Sequence, residues 1–132
     1  MPNIPIGTRG ERKLLVTSEV AIDFMGNEAA RVLATPHLIW NLELTCRETI
    51  KPFLEDGFDT VGTEVNVKHL AATPLGMSVT FHAEVIEVDG NRVHCKVEAF
   101  DERDKISEGT HERFIVNVAR FATRVQAKAQ GV

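Results

Sequence analysis

The side chains best suited to moving protons near neutral pH in this sequence are five histidines, His37, His69, His82, His94 and His111. His82 and His94 alternate with apolar neighbours in strand-like stretches, so both are expected to point to solvent. His37 falls in the first turn of a helical segment, where simple exposure accounts for it. His69 is different. It ends the segment GTEVNVKH, and its odd position puts it on the face of Val65 and Val67. An imidazole on an apolar face needs either a hydrogen-bonding partner or a task.

Two groups on a neighbouring helical segment raise the same question. Glu43 stands one residue from Leu42, at the border of an apolar stripe. An ion pair with Arg47, worth about 0.3–0.5 kcal/mol, would explain it structurally. Thr35 precedes Pro36 and suits the N-cap, because its hydroxyl can accept a free backbone N–H. The Walker loop, GxGxxG, GxSxG and HExxH patterns are all missing. Cys46 and Cys95 lack metal-ligand spacing and read as reduced thiols of a cytoplasmic protein.

The elements that must position these groups follow from periodicity. Residues 36–54 read as a helix, with Leu38, Leu42, Cys46, Ile50 and Phe53 building one apolar stripe between Pro36 and Gly57. Residues 13–24 read as a strand behind a loose arm over residues 1–11. After Gly57 the pattern alternates with period two: Val61 to Val67, then Met77 to Val85. The parity flips at Ile86 and Val88, as a β-bulge near Val85 would produce. Asp89-Gly90 marks a hairpin, Val93 to Ala99 the next strand, and residues 106–118 the last. Residues 120–132 form a C-terminal tail with a short helix, in which Arg120, Arg124 and Lys128 make a solvated cationic side.

One strand, one long helix and four antiparallel strands give an α+β chain whose helix can bury its stripe only against the sheet. The expected architecture is a hotdog fold: an antiparallel β-sheet wrapped around one long central α-helix, in a single domain of 132 residues. An open sheet edge favours pairing into a homodimer, with a higher oligomer also compatible. A net charge of −4 without a concentrated basic face argues against nucleic acid as a partner. No apolar run reaches the ~18 residues of a membrane span, and MPNIPIGTRGERK lacks a signal-like apolar stretch, so no membrane association is expected.

Four segments add a resemblance: ATPHLIWNLE (34–43), TVGTEVNVKHLAATPLGMSVT (60–80), VDGNRV (88–93) and GTHERFIV (109–116). They resemble the fluoroacetyl-CoA thioesterase family of hotdog hydrolases over about residues 30–121. The resemblance implies a catalytic threonine at the helix start, a glutamate eight residues later and a histidine 26 beyond that. Thr35, Glu43 and His69 hold those positions. It also implies that Gly62, seven residues before His69, lends its N–H to an oxyanion hole. The implied activity is hydrolysis of a small or medium acyl-CoA thioester, with no cofactor beyond the CoA of the substrate. The alternative is a hotdog module that binds acyl-CoA without cleaving it. Family members specific for the fluorinated ester carry a longer, aromatic-rich lid before the helix. Here residues 22–33 contain one aromatic, Phe24, so weak discrimination for fluorine is expected.

Overall fold

A computed structural model describes residues 3–131. The apolar stripe forms one face of α1 (Thr35–Ile50), where Leu38, Leu42, Cys46 and Ile50 are all buried. The α-helix stops before residue 54. Pro52 has no N–H to continue the ladder, and Lys51–Phe53 tightens into a single 3-10 turn. The N-cap is Ala34 rather than Thr35, which is the first helical residue. The Thr35 hydroxyl is therefore not committed to capping.

Around α1 runs a five-stranded antiparallel sheet of order β1-β3-β4-β5-β2. Its strands are β1 (Arg9–Leu15), β2 (Phe58–His69), β3 (Ser78–Asp89), β4 (Arg92–Phe100) and β5 (Lys105–Asn117). Val79, Phe81, Ala83 and Val85 of β3 join Val93, Cys95, Val97 and Ala99 of β4 in the core beneath the helix. This is the hotdog arrangement. The first strand lies earlier than residues 13–24, because the chain leaves the sheet after Leu15 and makes a 3-10 turn at Ser18–Val20. Residues 9–11 of the expected arm are thus paired with β3, and Ile4 is buried; Met1 and Pro2 lie outside the described residues. The C-terminal helix is α2 (Val118–Ala129), which buries none of its residues.

Two of the three register irregularities in the sheet bear on the facing of the residues discussed below. Ile86 is the extra residue between Val85 and Glu87, which accounts for the parity flip in β3. The second departs from the unbroken alternation expected in β2: Gly62 pairs with Arg113 and Glu64 with Glu112, leaving Thr63 as the extra residue. Thr63 turns away to hydrogen-bond the Glu112 carbonyl. The inward face of β2 is therefore Thr60 and Gly62 before the bulge, and Val65, Val67 and His69 after it. β2 is an edge strand, and residues 62–66 are exposed along it. Among the described residues, no helix is long and apolar enough to cross a membrane.

Candidate active site

The N-terminal end of α1 and the C-terminal end of β2 bring Thr35 and His69 together. Thr35 Oγ1 lies 2.8 Å from His69 Nδ1. The pair sits in a cleft of about 440 Å³ whose walls include Ile22, Phe24, Leu70 and Ala72. Burial pushes the His69 pKa below the ordinary 6.5. The ring is accordingly a neutral base at pH 7. Its other nitrogen, Nε2, is buried without a hydrogen-bond partner among the described residues. A buried polar atom in that condition calls for a group from outside the chain. Pro36 and the first turn of α1 add the positive end of the helix dipole beside the Thr35 hydroxyl.

Glu43 belongs to a second cluster further along α1. It does not pair with Arg47, whose guanidinium instead grips Asp59 at 3.0 and 2.6 Å and holds that carboxyl below its usual range. Glu43 Oε1 lies 3.5 Å from Arg113 Nη1 and 3.8 Å from His111 Nε2. Arg113 is anchored in turn by the Thr60 hydroxyl at 2.6 Å and carbonyl at 2.8 Å. His111 Nδ1 is 2.7 Å from the Glu64 carbonyl, which can only accept, so Nδ1 carries the proton. Burial pushes the His111 pKa down, and its free Nε2 lone pair accepts from Arg113 Nη1 at 3.1 Å. Glu43 therefore meets one fixed cation, held by a neutral histidine.

His111 and Arg113 escaped the residue-by-residue reading, although both stand in GTHER. Their signal was parity. They alternate with Ile115 on the inward face of β5, where a polar pair two residues apart needs a partner. Gly62 joins this cluster, because a Cβ there would lie 2.5 Å from Glu43 Oε1 and 3.1 Å from His111 Cε1. Gly62→Ala is expected to destabilise the fold by about 1–3 kcal/mol through overpacking. Displacing Glu43 should also lower kcat/KM at least about tenfold. Thermal melts and steady-state kinetics check both, and wild-type values for the pair would show that the gap is not needed.

Within one chain the two clusters are apart. Eight residues of helix separate Thr35 from Glu43 by about 12 Å. Seven residues of strand separate Gly62 from His69 by about 23 Å. The segment before α1 is short and pinned: Arg31 hydrogen-bonds the Ile22 carbonyl at 3.0 Å and the Ser18 hydroxyl at 2.8 Å. Phe24 stands at the cleft rim, 75% exposed. His82 lies on the outer face of the sheet near Glu11, and His94 is also outward, bonded to Glu112 at 3.1 Å.

A sheet wound round one helix, with a hydroxyl–imidazole pair at the helix N-terminus, defines a hotdog domain of the thioesterase superfamily. Comparison narrows this. The family model for the fluoroacetyl-CoA-specific thioesterase matches residues 16–119, and the chain belongs to that family. The fluoroacetyl-CoA thioesterase of Streptantibioticus cattleyicolor is 39% identical over 101 residues, covering 76% of this chain and 73% of that protein. A solved structure of fluoroacetyl-CoA thioesterase superposes with a TM-score of 0.87 at 32% identity, covering 96% of this chain and 98% of the other. A thioesterase superfamily member from Thermus thermophilus reaches 0.88 at 32% identity over the whole of both chains.

Proposed function

We propose that this protein hydrolyses small and medium acyl-CoA thioesters as a cytoplasmic homodimer, with Thr35, Glu43 and His69 as its catalytic side chains. The observation that carries the reading is the Thr35–His69 contact of 2.8 Å inside an apolar-walled cleft. Thioester hydrolysis needs an oxygen nucleophile beside a base, and stabilisation of the charge developing on the carbonyl oxygen. His69 takes a proton from the attacking oxygen and returns it to the departing CoA sulfur. The Gly62 N–H, unobstructed by a side chain, receives the oxyanion. Glu43 supplies the fixed anion that orients His69 or the hydrolytic water. The chemistry is complete without a cofactor.

This set assembles when two copies join along β2. A two-fold axis at Asn66 in an antiparallel pairing places Val65 opposite the partner's Val67 and Glu64 opposite the partner's Lys68. Inward side chains then share a face, and opposite charges meet twice, each a favourable cross-strand pair. The bulge at Thr63 brings Gly62 level with the partner's His69. The Glu43 and Gly62 cluster of one chain thereby reaches the Thr35 and His69 cluster of the other, where His69 Nε2 lacks a partner among the described residues. The free, buried thiols of Cys46 and Cys95 agree with a reducing compartment.

Release of CoA thiol from acetyl-, fluoroacetyl- and phenylacetyl-CoA tests the reading. All three are expected to turn over, with modest selectivity, because the loop over residues 22–33 is pinned by Arg31 and offers Phe24 alone as an aromatic cover. Pockets separate near-isosteric apolar groups by only about 1–3 kcal/mol. A preference of ~10⁴-fold or more for the fluorinated ester, about 5.5 kcal/mol, would overturn the open-pocket account. Binding of acyl-CoA without thiol release would overturn the enzymatic one.

A further inference from the structure

GTHER sets three titratable side chains in a row, of which His111 and Arg113 face α1 and Glu112 faces the other way. Glu112 pairs across the ladder with His94, which alternates with the buried Val93 and Cys95 and shares that outer face. A carboxylate on the outside of a sheet is ordinarily hydrated, yet Glu112 is only 8% exposed. Three side chains converge on it. Arg92 Nη1 lies 3.2 Å from its Oε2, His94 Nε2 lies 3.1 Å from its Oε1, and the Thr63 hydroxyl donates to Oε2 at 2.5 Å. The Thr63 hydrogen bond most of all, with Arg92 and His94, holds this carboxyl below its usual range, so it is an anion at pH 7. Thr63 is the extra residue of the β2 bulge and follows Gly62 directly. Its hydroxyl also lies 3.2 Å from the Glu112 carbonyl, so one residue of β5 holds the bulge through both its side chain and its backbone.

We propose that Glu112 is a positioning residue for the oxyanion hole: through the Thr63 hydroxyl it fixes the β2 bulge, and with it the direction of the Gly62 N–H. A bulge interrupts the ladder and re-aims the residues beside it, so its exact place decides where Gly62 points. Here the ladder alone is a weak guide. β2 is an edge strand, and Glu64 stands directly opposite Glu112, a like-charge pair that disfavours this register. A hydroxyl donating to a carboxylate is charge-assisted and about twice as strong as a neutral bond, which favours the bulge at Thr63 over its neighbours. A slip of one residue would turn Val65, Val67 and His69 to the outer face and carry Gly62 out of line with the reacting carbonyl. Glu112 lies across the sheet from Glu43 and acts only through the backbone of residues 62–63. The proposal rests on the reading of Gly62 as the oxyanion donor.

Two substitutions test it. Thr63→Val removes the hydroxyl and keeps a β-branched side chain at an exposed strand position, and Glu112→Ala removes the acceptor from the outer face. Each is expected to lower kcat for acetyl-CoA by about tenfold or more, with KM changed less than about threefold, because the oxyanion contact is made in the transition state. Both act through one hydrogen bond, so the double variant should be no slower than the slower single one. Thr63→Ser keeps the hydroxyl and should retain most of the wild-type kcat. Losses that add in the double variant would overturn the proposal, as would wild-type kcat in folded Thr63→Val protein or a Thr63→Ser variant as slow as Thr63→Val. Should Glu112→Ala fail to fold, the Thr63→Val and Thr63→Ser pair decides alone. The amide resonance of Gly62 in ¹⁵N-labelled protein separates this from a failure of the hydrolase reading. A Gly62 peak displaced by Glu112→Ala, on the other strand, supports the positioning even where no ester is cleaved, and an unmoved peak refutes it.

Discussion

Replacing His69 by alanine is expected to lower kcat/KM for acyl-CoA esters by about 10²–10⁴-fold, with the circular dichroism spectrum and melting behaviour retained. The imidazole lines the cleft and touches Thr35 through one nitrogen, so its removal deletes the base without opening the hydrophobic core. Because burial holds the His69 pKa below 6.5, the neutral base persists as pH falls toward and past that value. Wild-type kcat/KM should accordingly persist to lower pH than an ordinary imidazole base would allow. His82→Ala, on the outer face of the sheet, is the control and should leave turnover nearly unchanged. Near-wild-type turnover by folded His69→Ala protein would remove His69 from the reaction.

The second large effect is expected at Glu43. Glu43→Gln keeps the shape of the side chain and removes the anion, so kcat should fall by about 10²-fold or more while KM changes little. Stability should drop as well, by about 1–3 kcal/mol, because the buried Arg113 loses its counter-charge and keeps only its bonds to Thr60 and His111. Arg47→Gln breaks the neighbouring pair with Asp59, which is half-exposed and worth about 0–1 kcal/mol, and should barely affect turnover. A Glu43→Gln enzyme with unchanged kcat would make the carboxylate structural.

Much of this geometry was legible in the sequence, and the exceptions have physical causes. The stripe from Leu38 to Ile50 identified α1, since few arrangements other than a helix on a sheet bury such a pattern. The bulge after Val85 was visible because both sides of it are apolar. The bulge at Thr63 was hidden: Val61, Thr63, Val65 and Val67 preserve an apparent alternation although the extra residue changes their facing. The N-cap preference of threonine concealed the role open to Thr35, because Ala34 caps the helix through its backbone geometry and leaves the hydroxyl to His69. Glu43 has Arg47 four residues away, but its actual neighbour, Arg113, is 70 residues distant in sequence. Local spacing cannot reveal a contact made by folding the sheet over the helix.

The claim on which the rest depends is that one active site draws Thr35 and His69 from one chain, and Glu43 and Gly62 from another. Mixing two inactive proteins, His69→Ala and Glu43→Gln, under conditions of subunit exchange tests it directly. Random pairing makes half of the dimers mixed, and each mixed dimer holds one site with both side chains intact. CoA-thiol release is therefore expected to recover to about a quarter of wild type. Activity that stays at the level of the separate variants, after exchange has been verified, would place the two residues in one chain's site and contradict the shared arrangement.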